Sequence, residues 1–276
     1  MSPSARQTRI ATPHGMLAVH DSGGTGPALV LIHGNSSCKE VFAHQFDAPE
    51  LAQYRRVAFD LPGHGASDDA VAPELDYTFA GYAQALEAVI EALELSHPAV
   101  FGWSLGGHVA LEALGRGADL SGIMISGTPP VTPTMDCLMA AFNIDPAAEN
   151  LTAKREFTDA DAQAYALHTA GTGGMVDAHL LAMVKRTDGR AREIMFGAVV
   201  AGMPLDECAI LTQMQVPLAV VNGAEDPFIR HDYFDTLDAP SLWAQGMVRL
   251  PGAGHAPFLQ APAAFNPLLA AFLASL

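Results

Sequence analysis

A serine flanked by glycines, where an apolar run meets a helical run, places the strongest constraint on how this chain can fold. The run Ala99–Trp103 (AVFGW) has the composition of a buried strand, and its end overlaps the pentapeptide Gly102–Gly106 (GWSLG). A helix-forming run continues from there through Leu114. A chain that passes from strand to helix within so few residues needs small side chains beside the turn. The pattern predicts a sharp turn that holds the Ser104 hydroxyl clear of the backbone at the C-terminal edge of a sheet.

Short runs of Val, Ile and Leu alternate along the chain with longer segments of helical periodicity. This alternation is typical of the α/β class, in which parallel strands are joined by crossover helices. We predict buried strands at Leu29–His33, Arg56–Asp60, Ala99–Trp103, Gly122–Ser126 and Pro217–Asn222, and a weaker last strand at Met247–Leu250. Apolar residues from Phe79 to Leu93 recur at helical spacing, which predicts a surface helix capped by Thr78.

The alternation stops between Pro129 and about Pro204. Alanine-rich stretches of helical character, separated by turn signals such as Gly171–Gly174, replace it there. The sequence therefore predicts a mostly parallel central sheet flanked by helices. Residues 1–129 and 204–276 would form this core, and residues 130–203 would form an inserted helical cap.

Composition and charge restrict the classes of partner. The 276 residues are 50% hydrophobic, enough for a sizeable core, and carry a formal net charge of −16. A negative field of this size repels phosphate backbones and anionic membrane surfaces, so we expect neither nucleic acid nor a membrane as a partner. The N-terminal residues lack the apolar core of a signal peptide, and no run approaches the roughly 18 apolar residues of a membrane span. We therefore expect a cytoplasmic protein.

No metal or cofactor site is predicted. The cysteines Cys38, Cys137 and Cys208 are far apart and outside any CxxC spacing, which argues against a disulfide framework and against a cysteine metal site. His168 and His179 likewise lie outside any ligand spacing, and no HExxH motif occurs.

A serine hydroxyl is a poor nucleophile at neutral pH, so a catalytic Ser104 needs a base to take its proton and an acid to orient that base. The motif NGAEDP follows a predicted strand and places a carboxylate just beyond the end of that strand. Asp226 is the predicted acid, and Glu225 stays open as an alternative because neighbouring side chains point apart. His255, in the glycine-containing loop GAGHAP after the last strand, is the predicted base.

The backbone N–H groups of Asn35 and Leu105 are the predicted oxyanion donors. Asn35 follows the first strong strand in the motif HGN, and Leu105 lies at the positive N-terminal end of the helix after the serine. His33 is predicted to brace its loop. His64, in the turn DLPGHGAS, and His108, one helical turn beyond the serine, are predicted to be structural.

The motifs HGN, DLPGHGAS, GWSLGGH, NGAEDPF and GAGHAPF together resemble those of α/β hydrolases over essentially the whole chain. Within that superfamily the chain is similar to the metal-independent N-acylhomoserine lactone lactonases. This likeness rests on IHGNSS at Ile32–Ser37, VFGWSLGGH at Val100–His108, SGTPPV at Ser126–Val131, RTDGRAREIMF at Arg186–Phe196 and AVVNG at Ala219–Gly223. The stretch RTDGRAR is the most informative, because it lies in the predicted cap, which shapes substrate choice.

The resemblance implies roles for particular residues. Ser104 would be the nucleophile, His255 the base and Asp226 the acid, with substrate contacts from Asn35 and from the cap tyrosine Tyr165. Trp103, beside the nucleophile, is a further expected substrate-binding residue. By this resemblance, the lactonases carry glutamate at the position where this chain has Asp226, and here Glu225 precedes that aspartate. Whether the shorter Asp226 side chain reaches His255 is therefore left open. The tyrosine also fits a helix-packing residue.

We therefore expect a serine hydrolase that opens the ester ring of N-acylhomoserine lactones through an acyl-enzyme on Ser104, an activity that degrades quorum-sensing signals. Two alternatives stay open. One is a general carboxylesterase on short acyl esters, and the other is a small-molecule receptor that keeps the scaffold without turnover. The expected partner is a small ester or lactone, with no cofactor, and the oligomeric state is left open.

Overall fold

A single eight-stranded sheet forms the centre of the computed structural model, which describes residues 6–145 and 147–276. Within these residues the strands are β1 (Arg6–Thr12), β2 (Gly15–Asp21), β3 (Ala28–Ile32), β4 (Arg55–Phe59), β5 (Ala99–Trp103), β6 (Gly122–Ser126), β7 (Leu218–Gly223) and β8 (Leu242–Leu250). Their order across the sheet is β1-β2-β4-β3-β5-β6-β7-β8. Strands β3 to β8 run parallel, while β2 pairs antiparallel with both β1 and β4. The predicted α/β class with a mostly parallel sheet is confirmed.

The structure adds strands that the sequence did not predict. Strands β1 and β2 form an N-terminal hairpin. Most side chains of β1 are exposed and polar, and the apolar run of β2 is only four residues long, from Met16 to Val19. Strand β8 begins at Leu242 instead of Met247. Its pairing with β7 is irregular between these two residues, and Gly246 has a φ of +70°. The irregularity hides the alternation that would have predicted the full strand.

Helices cover both faces of the sheet. In the described residues the α-helices are α1 (Ala43–Phe46), α2 (Pro73–Asp76), α3 (Phe79–Ala92), α4 (Leu105–Gly115), α5 (Met135–Ala141), α6 (Asp159–Ala170), α7 (Ala178–Arg186), α8 (Gly189–Val200), α9 (Glu207–Gln213), α10 (His231–Phe234), α11 (Pro257–Gln260) and α12 (Pro262–Leu273). Two short 3-10 helices span Lys39–Phe42 and Pro49–Leu51. Thr78 is confirmed as the N-terminal capping residue of α3, since its Oγ1 accepts from the Gly81 N–H at 3.1 Å. None of the helices described here has the length and apolarity that crossing a membrane requires.

The core is divided by the sheet into two apolar clusters. Val30 and Ile32 of β3 pack in one cluster with α3 and α4, while Leu29 and Leu31 pack in the other with α1 and α12. This period of two is that of a strand buried on both faces. The edge of the sheet formed by the C-terminal ends of the parallel strands is left to carry the polar loops.

Four helices, α5 to α8, follow β6 before α9 leads into β7, and this segment contains the proposed cap at residues 130–203. Both of its ends are linked to α4, the first through Glu207 of α9 and the second directly. At the first end, Val131 N–H donates to Glu207 Oε2 at 2.9 Å, and the same carboxylate binds His108 Nδ1 at 2.8 Å. At the other end, Leu205 N–H donates to Glu112 Oε2 at 2.9 Å. His108, predicted to be structural, thus helps to anchor the segment.

The turn DLPGHGAS folds around the buried carboxylate of Asp60. Asp60 Oδ1 accepts from the Lys39 N–H at 2.7 Å, and Oδ2 accepts from the Lys39 ammonium and from the Ala66 N–H, each at 2.8 Å. Gly65 has a φ of +50°, and a Cβ there would lie 2.2 Å from the Asp60 carboxyl carbon. Although burial alone would lower the pKa of Lys39, the Asp60 carboxylate raises it above its ordinary value.

The Asp60 carboxylate should therefore be a major source of stability. We expect Asp60→Asn to lower the free energy of unfolding by about 3 kcal/mol or more, because the buried Lys39 ammonium loses its fully buried counter-charge and keeps only the partly exposed Glu40 carboxylate. Urea denaturation measures the change. Asp119→Asn is the control, since its ion pair with His97 is largely exposed and contributes little. Equal losses in the two variants would contradict the assignment.

Candidate active site

Ser104 occupies the junction between β5 and α4, with φ 53° and ψ −120°. A positive φ is costly for a residue with a side chain, and it persists only where the surroundings enforce it. A Cβ on Gly102 would lie 2.3 Å from Gly106 O, and a Cβ on Gly106 would lie 2.1 Å from Ile32 O. No side chain fits at either glycine, so close backbone packing holds Ser104 in the turn.

The backbone of Ser104 is also bound to the end of β6. Its N–H donates to Ser126 O at 2.8 Å, and Thr128 Oγ1 donates to Ser104 O at 2.8 Å. The Ser104 side chain is half-buried, and its hydroxyl makes no hydrogen bond to any residue in the described ranges. The hydroxyl is therefore available to a ligand.

The structure brings Asp226, and not Glu225, to His255. His255 Nδ1 lies 2.7 Å from Asp226 Oδ2, and both side chains are at most 5% exposed. The other oxygen of Asp226 accepts from the Phe228 N–H at 2.9 Å. Glu225 is exposed, and its carboxylate accepts from the Gly252 N–H at 3.0 Å.

The imidazole of His255 lies over the end of β6. A Cβ on Gly127 would be 2.6 Å from His255 Cε1, and the two neighbours of Gly127 are the residues that bind the Ser104 backbone. Ser104 and His255 are thus held against the same short segment. Trp103 supports the loop of His255, because its indole N–H donates to His255 O at 2.8 Å. The Trp103 side chain is only 1% exposed, and its predicted contact with substrate stays a prediction.

The loop after β3 packs against the serine. A Cβ on Gly34 would lie 3.1 Å from Ser104 Cβ. His33 braces this loop: its Nδ1 donates to Gly34 O at 2.7 Å, and its Nε2 accepts from the Leu61 N–H at 3.0 Å. A carbonyl only accepts and an N–H only donates, so these partners define a neutral imidazole. Complete burial lowers the pKa of His33, which favours the same form.

Bracing the Gly34 carbonyl also orients Asn35. The carbonyl and the following N–H of a trans peptide point in opposite directions, so the Asn35 N–H faces away from His33. This N–H donates to no acceptor among the described residues. Leu105 is the first residue of α4, and its N–H has no carbonyl one turn earlier within the helix. Two unpaired donors therefore flank the serine.

The cap segment meets the core at Asn35 and Ser36. Tyr165 OH donates to Asn35 O at 3.3 Å, and Asn35 Nδ2 donates to Thr152 O at 3.2 Å. Arg192 donates to Ser36 Oγ at 3.1 Å. Tyr165 is buried, and burial raises its pKa above the ordinary range, so its hydroxyl keeps its proton.

The stretch RTDGRAR fastens the cap segment to the core. Arg186 donates to Gly63 O at 2.9 Å and to Ser67 O at 2.6 Å, both in the turn DLPGHGAS. Asp188 accepts from Tyr77 OH at 2.6 Å. These contacts, and those of Arg192, hold the segment in place beside the loop of Asn35.

Asn143, between α5 and α6, is a site residue that the sequence analysis missed. Its N–H donates to Phe228 O at 2.8 Å, and its side-chain amide donates to the carbonyls on either side of Phe228 at 3.1 and 3.0 Å. The Phe228 N–H binds Asp226, and its ring stands edge-on to the His255 ring at 4.8 Å between centroids. An isolated asparagine outside every motif offered no sequence signal for this arrangement.

Known proteins share this architecture. The N-acyl homoserine lactonase AidH, complexed with N-butanoyl homoserine, superposes with a TM-score of 0.91 at 40% identity, over 97% of this chain and 96% of that chain. A serine-to-glycine mutant of AidH, complexed with N-hexanoyl homoserine lactone, superposes with a TM-score of 0.91 at 39% identity, over 97% of both chains.

Curated relatives are also similar along most of their length. The pimeloyl-acyl-carrier-protein methyl ester esterase of Nitrosomonas europaea is 29% identical over 262 residues, which are 91% of this chain and 97% of that protein. The esterase of the same description from Xanthomonas axonopodis pv. citri is 31% identical over 264 residues, with the same two shares. A model of the alpha/beta hydrolase family matches residues 29–268. Together with the sheet and the strand–serine–helix turn, this match establishes that the chain belongs to the alpha/beta hydrolase family.

Proposed function

We propose that this chain is a serine hydrolase that opens the ester ring of N-acylhomoserine lactones, the activity by which such quorum-sensing signals are degraded. The family and its lactonase and esterase relatives support an ester hydrolase as the broader activity. The likeness to AidH supports the narrower activity, lactone opening, because it extends at 40% identity over 97% of this chain and so includes the cap segment. One AidH complex holds an N-acyl homoserine, whereas the serine-to-glycine mutant holds an N-acyl homoserine lactone, a difference expected where a serine opens the ring.

The proposed mechanism uses the groups around Ser104. Because Asp226 binds Nδ1 of His255, Nε2 is the nitrogen left to take the proton as Ser104 attacks the lactone carbonyl. The N–H groups of Asn35 and Leu105 receive the oxyanion, and losing one such donor costs about 3 kcal/mol in the transition state. The imidazolium then protonates the leaving alkoxide.

A lactone imposes a second requirement. Its leaving hydroxyl stays tethered to the acyl-enzyme. It can attack the carbonyl carbon that is bound to Ser104 and close the ring again. Water must therefore reach the acyl-enzyme before the ring closes, with His255 as its base. We propose that movement of the segment 130–203 controls this entry.

Asn35 and Tyr165 are the proposed substrate contacts. The hydrogen bond between them places the tyrosine hydroxyl beside the loop that holds the oxyanion donor. A lactone amide bound by Tyr165 would therefore lie next to that loop. Trp103, whose ring packs against that of His255, stays a proposed substrate contact.

A general carboxylesterase is the second candidate. It is supported by the methyl ester esterase relatives, which cover 91% of this chain. The catalytic groups would serve an open ester equally well, because nothing in the triad requires a cyclic substrate.

Mass spectrometry of the products tests the main proposal. Incubation with N-hexanoylhomoserine lactone should add one water to the substrate without release of free fatty acid, because the lactone carbonyl lacks the resonance of the amide. A methyl ester of the same acyl length should turn over more slowly. Release of homoserine lactone would contradict ring opening, and turnover of the methyl ester alone would leave only the esterase.

The identity of the acid gives a further prediction. A misoriented histidine costs about 10⁴ in kcat, so Asp226→Asn should lose activity on this scale. Glu225→Gln should stay close to the parent, since that carboxylate binds the Gly252 N–H at the surface. Steady-state kinetics on the lactone compares the two variants, and the reverse ranking would transfer the role to Glu225.

Asn143 is proposed as a positioning residue that acts through Phe228. Asn143→Ala should lower kcat by between about 10- and 100-fold with little change in KM, because the loop of Phe228, which contacts Asp226 and His255, loses the two hydrogen bonds that the Asn143 side chain donates. Asn143→Asp keeps the shape but cannot donate from its side chain, and it should be similarly impaired.

Asn150→Ala is the matched control, because Asn150 is an exposed asparagine of the same segment whose side chain accepts only from the Thr152 N–H. It should keep the parent kcat. Thermal melting of all three variants separates loss of positioning from loss of folded protein. Full activity in Asn143→Asp would show that the hydrogen bonds are not required.

A further inference from the structure

A group of metal-ligating side chains lies outside the catalytic site, where α7 approaches the segment that follows the loop of Asn35. Cys38 Sγ, a carboxylate oxygen of Glu40 and a ring nitrogen of His179 all lie within 4.8 Å of one another. Glu40 Oε2 and His179 Nε2 are 3.7 Å apart. The three side chains therefore converge on one point, although 139 positions separate the histidine from Glu40 in the numbering (179 − 40).

We propose that Cys38, Glu40 and His179 bind a divalent transition metal ion, with Zn²⁺ as the ion that fits best, and that the bound ion joins α7 to the core. A thiolate, an imidazole and a carboxylate are all ligands of zinc, and three protein ligands leave a fourth tetrahedral position for water. Calcium and magnesium are poor candidates because they select oxygen ligands.

The core half of the site is prearranged. Cys38 and Glu40 belong to one short segment, at the start of the 3-10 helix Lys39–Phe42, and Lys39 anchors this segment to Asp60. Cys38 is fully buried, and its sulfur lies within 4.8 Å of a carboxylate oxygen of Glu40. Only the histidine comes from the cap segment.

The site is also open to an ion from solution. The Glu40 side chain is 24% exposed, and the His179 side chain is 54% exposed. An ion can therefore enter beside His179 and reach the buried sulfur last.

The charges around the site are compatible with a cation. Lys39 Nζ lies 2.8 Å from both Glu40 Oε1 and Asp60 Oδ2, so it keeps a carboxylate partner if Glu40 turns toward the metal. With Lys39, Glu40 and Asp60 ionised, this cluster has a net charge of −1 before binding. Adding Zn²⁺ and releasing the thiol proton to solvent brings the cluster to zero.

Metal content tests the proposal without any substrate. The full chain, treated with EDTA and then desalted, should bind one Zn²⁺ per molecule in competition with a chromophoric chelator. His179→Ala should weaken this binding by at least about tenfold, since loss of even an outer-shell partner commonly has that effect. His168→Ala is the matched control, because this exposed histidine belongs to no group of three ligating side chains among the described residues, and it should bind like the parent.

Co²⁺ provides the spectroscopic readout. The parent should show a thiolate-to-cobalt charge-transfer band that disappears in Cys38→Ser and weakens in His179→Ala. Cys38 is in the core, so thermal melting of that variant accompanies its spectrum. His179→Ala, altered only at an exposed side chain, keeps the proposal testable if Cys38→Ser does not fold. Equal zinc affinity in His179→Ala and the parent, or weak unsaturable binding in both, would overturn the site.

A consequence for turnover follows and rests on the proposed function. Saturating Zn²⁺ should slow the hydrolysis of lactone by the parent, because it restrains α7, and should leave His179→Ala unaffected. EDTA-treated parent should retain full activity, since the catalytic groups need no metal. The binding assays stand independently of this result, so absence of lactone hydrolysis would leave the metal site supported, and loss of the site would leave the hydrolase supported.

Discussion

The backbone of Ser104, held at positive φ between β5 and α4, is the constraint on which the rest of the site depends. The turn can exist only because Gly102 and Gly106 admit neighbouring backbone at distances that no side chain tolerates. The same close approach brings the start of α4 against the end of β3. As a result, one structural element exposes the hydroxyl and places the Leu105 N–H and the loop of Asn35 beside it. The proposed nucleophile and the proposed oxyanion donors are therefore parts of one packing arrangement.

The cap segment is bound to each catalytic loop separately. Tyr165 contacts the loop of Asn35, and Asn143 binds the loop around Phe228. One end of the segment is bound to Glu207 of α9 and the other to Glu112 of α4. Hydrogen bonds of this kind fix relative positions more than they add stability, because each replaces a bond to water. The contact of Asn143 with the loop of Phe228 therefore links the proposed cap to the pair of Asp226 and His255.

The choice between Glu225 and Asp226 illustrates the limit of sequence reasoning. Both carboxylates follow β7, and their side chains point in opposite directions. The sequence pattern does not indicate which of the two directions leads to His255. The structure separates them by burial: the Asp226 side chain is inaccessible and binds His255, while Glu225 lies at the surface. Asn143 and His179 show the same limit more strongly, because their partners are remote in the chain and no local spacing connects them.

The sequence by itself determined the α/β class, the strand–serine–helix turn and the order of serine, acid and histidine, because periodicity and glycine requirements are local properties of the chain. Only the tertiary structure decided which carboxylate meets His255, how His33 orients the Asn35 N–H, and which cap residues touch the core. It also revealed the N-terminal hairpin, whose first strand is polar and exposed, and the grouping of Cys38, Glu40 and His179. These features depend on contacts between distant segments, and such contacts exist only once the sheet and the cap segment have packed together.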